Sequence, residues 1–147
     1  MEGMDINFVA LIVAAIIPLF TGFIWYHPKV FGTAWMKETG MTEEKAKSMN
    51  PGKTYGLAVI FAFLAAFFLW GQVMFGGAPG EAHGPGGDFM TFKHGAFHGA
   101  LVTIAIVLPV FATNALFEMK SAKYVLINVG YWALTFALMT GLINAWT

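Results

Sequence analysis

Residues 8–26 read FVALIVAAIIPLFTGFIWY and contain no charged side chain. A helix needs about 20 predominantly apolar residues to cross the ~30 Å hydrocarbon core of a bilayer. Three further stretches have the same character, at about 55–75, 95–117 and 124–146. The sequence therefore predicts an all-α membrane protein, in which residues 1–147 form a single domain of four transmembrane helices in a compact bundle.

The composition agrees with this class. The chain is 58% hydrophobic and 11% charged, whereas soluble domains are nearer half apolar and a quarter charged. Its eight lysines balance eight acidic residues, so it has no basic surface for a nucleic acid. It has no cysteine, which excludes disulfides and thiolate metal sites. Lipid is the expected surrounding, and we expect no nucleic-acid partner.

The lysines predict an orientation. Seven of the eight lie in the loops at 27–54 and 118–123, and the opposite side has only Lys93. Because lysine-rich loops stay in the cytoplasm, we expect these two loops inside and both termini outside.

The two long loops differ in character. In the first, apolar residues near Phe31 and Trp35, and a cap pattern at Thr42, predict short interfacial helices that end at Asn50-Pro51-Gly52. The second, at 76–87, is rich in glycine, which predicts an outer loop without regular structure. Asp88 then resembles the cap of the third helix.

Small residues recur at helical spacing in the spans, which in lipid predicts close contact between helices. We expect packing faces at Ala10, Ala14, Gly22, Gly95, Gly99, Ala133, Ala137, Gly141 and Ala145.

Histidines form the first candidate site. His94 and His98, four residues apart, would share one helix face near the outer end of the third span. With His83 and Asp88 from the outer loop, they offer enough ligands for a divalent metal such as zinc. Two alternatives stay open: each histidine packs and hydrogen-bonds to a neighbouring helix, or the pair contacts a proton or a polar ligand.

Asn114, Glu118 and Asn128 form a second candidate cluster, near the inner face. They would contact an ion, a substrate or a partner. The alternative is an interfacial ion pair of Glu118 with Lys120 or Lys123, together with amide hydrogen bonds between helices.

Several blocks resemble the bacterial membrane family called domain of unknown function 1761. They are WYHPKVFG at 25–32, AWMK at 34–37, GMTEE at 40–44, FKHGAFHG at 92–99, NALFE at 114–118 and INVGYW at 127–132. The resemblance covers nearly the whole chain. It implies a small four-span protein of the bacterial cytoplasmic membrane, and it assigns no activity and no catalytic residue.

Three hypotheses for function follow. The first is a structural or accessory protein that acts by helix contact, as a homo-oligomer or beside another membrane protein. The second is a transporter or channel for a proton, metal or small polar ligand through His94 and His98. The third is a metal-dependent membrane enzyme, although the sequence has no nucleophile–base pattern and no phosphate-binding loop. No cofactor is expected beyond such a metal.

Overall fold

The computed structural model describes residues 6–74, 80–84 and 86–146. The helices are α1 (Phe8–Trp25), α2 (Thr33–Thr39), α3 (Glu43–Lys47), α4 (Pro51–Met74), α5 (Phe92–Val102), α6 (Leu108–Phe117) and α7 (Ala122–Trp146). A π-helical turn at Thr103–Val107 joins α5 to α6 in one rod. Within the described residues there is no strand. Residue 75 of the second expected span, and 76–79 and 85 of the glycine-rich loop, lie outside them.

The predicted fold class is confirmed. The rods Phe8–Trp25, Pro51–Gly71, Phe92–Phe117 and Ala122–Trp146 are each long and apolar enough to cross a membrane. Their outer surfaces carry large apolar side chains, among them Phe23 at 78% and Phe117 at 87% exposure. Soluble monomers rarely present apolar surface on this scale. These surfaces therefore suit contact with lipid.

Two helices begin at residues other than those expected. Asn50-Pro51-Gly52 starts α4, since the Asn50 side chain accepts the Lys53 N–H at 3.0 Å and proline fits a first helical turn. Thr91, and not Asp88, caps α5, because its hydroxyl accepts the His94 N–H at 3.3 Å. Asp88 is exposed in the turn before the cap.

The first loop contains the two expected short helices. Aromatic rings of α2 and of the segment just before it pack on the end of α1. The ring centre of Phe31 lies 4.5 Å from that of Trp25, and the ring centre of Trp35 lies 5.3 Å from that of Tyr26. The Thr42 hydroxyl caps α3 by accepting the Lys45 N–H at 3.1 Å. We call this end, residues 26–53 and 118–123, the lysine-rich end, and the opposite end, with residues 80–84 and 86–91, the histidine end.

Helix α7 lies at the centre of the bundle and contacts α1, α4 and α5. The apolar core joins Leu11 and Ala14 of α1, Ala66 of α4, and Met139 and Ile143 of α7, all of them fully buried. Small residues on α1 and α4 let these helices approach closely, as helix association in lipid requires.

The closest approach is between α5 and α7. A Cβ built on Gly95 would overlap the Thr140 carbonyl, and one built on Gly99 would overlap the Phe136 carbonyl. Glycine is therefore required at both positions. The expected stripe on α7 lies beside this seam: Gly141 is buried under the Phe92 ring, whereas Ala133 and Ala137 are half-buried and Ala145 is exposed.

On α1, the expected packing residues Ala10 and Ala14 are buried. Gly22 faces Tyr131, where an added Cβ would lie 3.6 Å from the phenol oxygen, an ordinary contact. This position therefore has more space than the glycines of α5.

Buried polar groups tie α1 to α7. The Thr21 and Thr135 hydroxyls lie 2.8 Å apart, and Tyr131 donates its O–H to the Pro18 carbonyl at 2.8 Å. The Trp25 indole donates to the Ile127 carbonyl at 3.0 Å. Each bond satisfies a polar group that lipid cannot solvate.

Candidate metal centre

Three histidines meet at the histidine end of the bundle. His94 and His98 lie in the first two turns of α5, and His83 comes from the preceding loop. Nε2 of His94 lies 3.0 Å from Nδ1 of His83 and 2.9 Å from Nε2 of His98. One ring nitrogen from each residue lies within 4.8 Å of the other two. We call these three residues the histidine triad.

One nitrogen is shared between two neighbours. In an imidazole each ring nitrogen carries either one proton or one lone pair. Nε2 of His94 therefore makes one good hydrogen bond, yet it faces a nitrogen of both His83 and His98. A cation placed among the three lone pairs satisfies all three nitrogens at once.

The spacing suits a transition metal. Zinc binds histidine nitrogen at about 2.0–2.1 Å, so tetrahedral geometry places two ligand nitrogens about 3.3 Å apart. The two short separations in the triad, 2.9 and 3.0 Å, need to widen by a few tenths of an ångström. The third pair, His83 and His98, lies within 4.8 Å and has to close by up to about 1.5 Å, which the loop position of His83 allows. Three protein ligands also leave a fourth position for water or another ligand, as in catalytic zinc sites.

The two helical histidines are aligned by the packing of α5. Gly95 and Gly99 lie one residue after each of them and seat the helix on α7. Each histidine is therefore offset by about 100° round the helix axis from a glycine of the seam, and both are half-buried. Close packing of the glycines thus fixes the rotation of α5 and with it the direction in which the two imidazoles leave the helix.

A folded loop brings in the third histidine. The Phe89 ring stacks on His83 at 4.7 Å and on His94 at 4.9 Å, between ring centres. The Phe89 N–H donates to the Ala82 carbonyl at 2.9 Å, closing the loop on itself. Both contacts restrict the His83 ring to the neighbourhood of α5.

Asn144 of α7 anchors this loop through its side-chain amide. Its side-chain N–H₂ donates to the Phe89 carbonyl at 2.9 Å and to the Thr91 carbonyl at 2.6 Å. Sequence reasoning missed Asn144. The available signal was an amide in the last turn of an apolar helix, where a buried polar side chain needs a partner.

The candidate ligand Asp88 does not join the triad. Among the described residues, the group close enough to hold a metal ion consists of three histidines, and Asp88 is exposed outside it. Gly87 shows how tightly the loop turns here, since a Cβ on it would overlap the carbonyl of Glu81.

The second candidate cluster is not assembled. Asn128 is buried, accepts the Tyr26 O–H at 2.9 Å and donates to the Tyr124 carbonyl at 2.8 Å. Asn114 and Glu118 are exposed. Within the described part of the chain, Glu118 makes no ion pair with either neighbouring lysine. Asn128 therefore serves a hydrogen bond between helices, which was one of the two alternatives for this cluster.

Residues 9–144 match a protein-family model described as "Protein of unknown function (DUF1761)". The chain belongs to this family. The match confirms the resemblance seen in the sequence, and it covers the histidine triad and all but the terminal residues of the four rods. Searches of curated proteins and of solved structures gave no match.

Proposed function

We propose that this protein binds a divalent transition-metal ion through His83, His94 and His98 at the surface of the bacterial cytoplasmic membrane. The observation that carries the proposal is the sharing of Nε2 of His94 between two other histidine nitrogens. Imidazole ligands suit zinc, copper and nickel, and zinc serves as the reference ion. The four rods act as the scaffold that holds the site.

The distribution of lysine supports an outward-facing site. The triad lies at the end opposite the lysine-rich end, and lysine-rich loops stay in the cytoplasm. With this orientation, the histidine triad and both ends of the chain face away from the cytoplasm. The site then takes its ion from outside the cytoplasm.

The open fourth position supports exchange of the ion with a second molecule. Among the described residues, the polar groups further along the same rod are not arranged as a path. Thr103 is buried and donates to the Gly99 carbonyl at 3.0 Å, and Asn114 is exposed. The proposal is therefore metal binding and hand-over at one face, with a second copy or another membrane protein as the receiver.

The test is zinc binding by the purified protein in detergent, measured by isothermal titration calorimetry. Wild type is expected to bind one zinc ion per chain. His94→Ala and His98→Ala are each expected to weaken binding by at least about 100-fold, since loss of an outer-shell group alone costs roughly 10- to 100-fold. His27→Ala is the matched control, because His27 is the remaining histidine and lies at the lysine-rich end.

Circular dichroism and size-exclusion profiles check that each variant stays folded. Absence of zinc, copper and nickel binding in wild type would remove the proposal. So would equal loss of affinity in His27→Ala and His98→Ala, because binding would then be independent of the triad.

A further inference from the structure

A cavity of about 720 Å³ opens at the lysine-rich end between α1 and α4. Nearer the histidine end these helices pack closely through Ala14 and Ala66, which are fully buried. Gly22 and Ala58 line the cavity, and because both residues are small they leave the space between the two helices open. Ligand cavities in proteins typically have volumes of this order.

The walls of the cavity are apolar and aromatic, with Phe23, Tyr55 and Tyr131 among the lining residues. The Tyr131 hydroxyl is turned to the Pro18 carbonyl, and the Tyr26 hydroxyl to Asn128. Tyr131 and Tyr26 therefore present ring surface to the cavity while their O–H groups are used elsewhere. Such walls suit a hydrocarbon chain better than a polar solute.

Polar residues and nearby lysines lie at the lysine-rich end of the cavity. His27 and Thr54 line it, Lys29 follows the lining residue Pro28 in the chain, and Lys53 precedes Thr54. Lys53 also lines an adjoining depression of about 550 Å³ that shares Thr54 with the cavity. Lysines at a membrane surface attract anionic headgroups.

We propose that this cavity binds an anionic phospholipid, with one acyl chain between α1 and α4 and the phosphate held by Lys29 and Lys53. The rim supports a lipid as the occupant, because Phe23 is 78% exposed on the lipid-facing surface and Tyr55 is 52% exposed. A chain enters sideways from the bilayer without crossing water. The site is at the opposite end from the histidine triad and does not depend on it.

The test compares two lipids with the same chains, palmitoyl-oleoyl phosphatidylglycerol and palmitoyl-oleoyl phosphatidylcholine. Each is added to delipidated protein in detergent, and bound lipid is counted by native mass spectrometry across a titration. Wild type is expected to bind one phosphatidylglycerol at least about tenfold more tightly than phosphatidylcholine, since each lysine near a headgroup contributes appreciably.

Two variants separate the chain from the headgroup. Ala58→Phe fills the cavity and is expected to abolish the single tight lipid, whereas Ala105→Phe, on an exposed surface of the π-helical turn, leaves it. Lys29→Gln/Lys53→Gln is expected to lower the phosphatidylglycerol affinity by roughly tenfold and leave phosphatidylcholine unchanged. Lys45→Gln/Lys47→Gln, in α3, removes the same charge and is the matched control.

Equal affinity of wild type for the two lipids would overturn the proposal. Retention of the tight lipid by Ala58→Phe would overturn it as well. The lysine variant keeps the result decisive if Ala58→Phe fails to fold. Zinc binding, measured on the same variants, is expected to be unchanged, so a failure here is distinct from a failure at the triad.

Discussion

The side-chain amide of Asn144, in the last turn of α7, donates to the backbone carbonyl of Phe89 at 2.9 Å. Phe89 stacks on His83 and His94, so this bond connects the bundle core to the triad. Asn144→Ala keeps every proposed ligand and removes the anchor. We expect zinc affinity to fall by about 10- to 100-fold, as for groups that orient metal ligands. Calorimetric titration measures this change.

The control for this variant is Asn114→Ala, which removes an exposed amide from α6. It is expected to leave zinc affinity unchanged. Wild-type affinity in Asn144→Ala would show that the loop holds its position without α7.

The glycine seam between α5 and α7 gives a second prediction. Gly99→Ala places a methyl group into the Phe136 carbonyl, which α7 cannot move without losing its packing. We expect a loss of about 1–3 kcal/mol or more in the free energy of unfolding, the usual cost of overpacking. Titration with sodium dodecyl sulfate in mixed micelles, followed by circular dichroism, measures it.

Gly56→Ala is the matched control for the seam. Gly56 lies in α4 and has nothing within 4 Å of a built Cβ, so alanine is expected to stabilise the helix by up to about 1 kcal/mol. If both variants lost the same free energy, the seam would have no special role.

A third prediction concerns the paired hydroxyls of Thr21 and Thr135, which lie 2.8 Å apart in the bundle. Thr21→Val, Thr135→Val and the double variant form a double-mutant cycle. We expect a coupling free energy of about 0.6 kcal/mol and at most about 1.7, the range for hydrogen bonds between membrane helices. Unfolding free energies of the four proteins give the coupling. If the losses of the two single variants added up to the loss of the double variant, the hydrogen bond between the two hydroxyls would contribute no free energy of its own.

The Tyr26 hydroxyl gives a fourth prediction. It donates to Asn128 at 2.9 Å, and Asn128 is buried. Tyr26→Phe leaves that amide oxygen without this donor, and we expect a loss of about 1–3 kcal/mol in unfolding free energy. Tyr55→Phe, at a 52% exposed phenol, is expected to change it by less than about 0.5 kcal/mol. Thermal unfolding in detergent compares the two.

The spans were predictable because a bilayer leaves the backbone few choices, and long apolar runs without charge meet the requirement directly. Helix starts were less predictable. Pro51 was assigned to the end of α3, although Asn50 before it caps α4. Proline is common both just after the end of a helix and in the first turn of the next one, so its position alone does not distinguish the two.

The triad was predictable in part. The spacing of His94 and His98 places them on one helix face whatever the tertiary structure. The approach of His83 depends on Phe89 and on Asn144, which lies 53 residues after Thr91. Helical spacing carries no information on such a contact. The small residues predicted as the packing face of α7 lie beside the seam for the same reason. Three-dimensional packing, and not helical spacing, decides which side of α7 faces α5.

The π-helical turn at Thr103–Val107 has a consequence for the rod that contains it. A π turn takes one residue more than an α turn, and one residue corresponds to about 100° of rotation. A helical wheel with a constant step, drawn from Phe92 to Phe117, thus places every residue after Val107 about 100° from its actual direction. Deleting one residue inside the turn would restore a regular step and leave Asn114 at nearly its present angle from His98, whereas converting the turn to regular α-helix without a deletion would swing Asn114 round the axis by about 100°. The turn therefore sets the phase between the two halves of this rod.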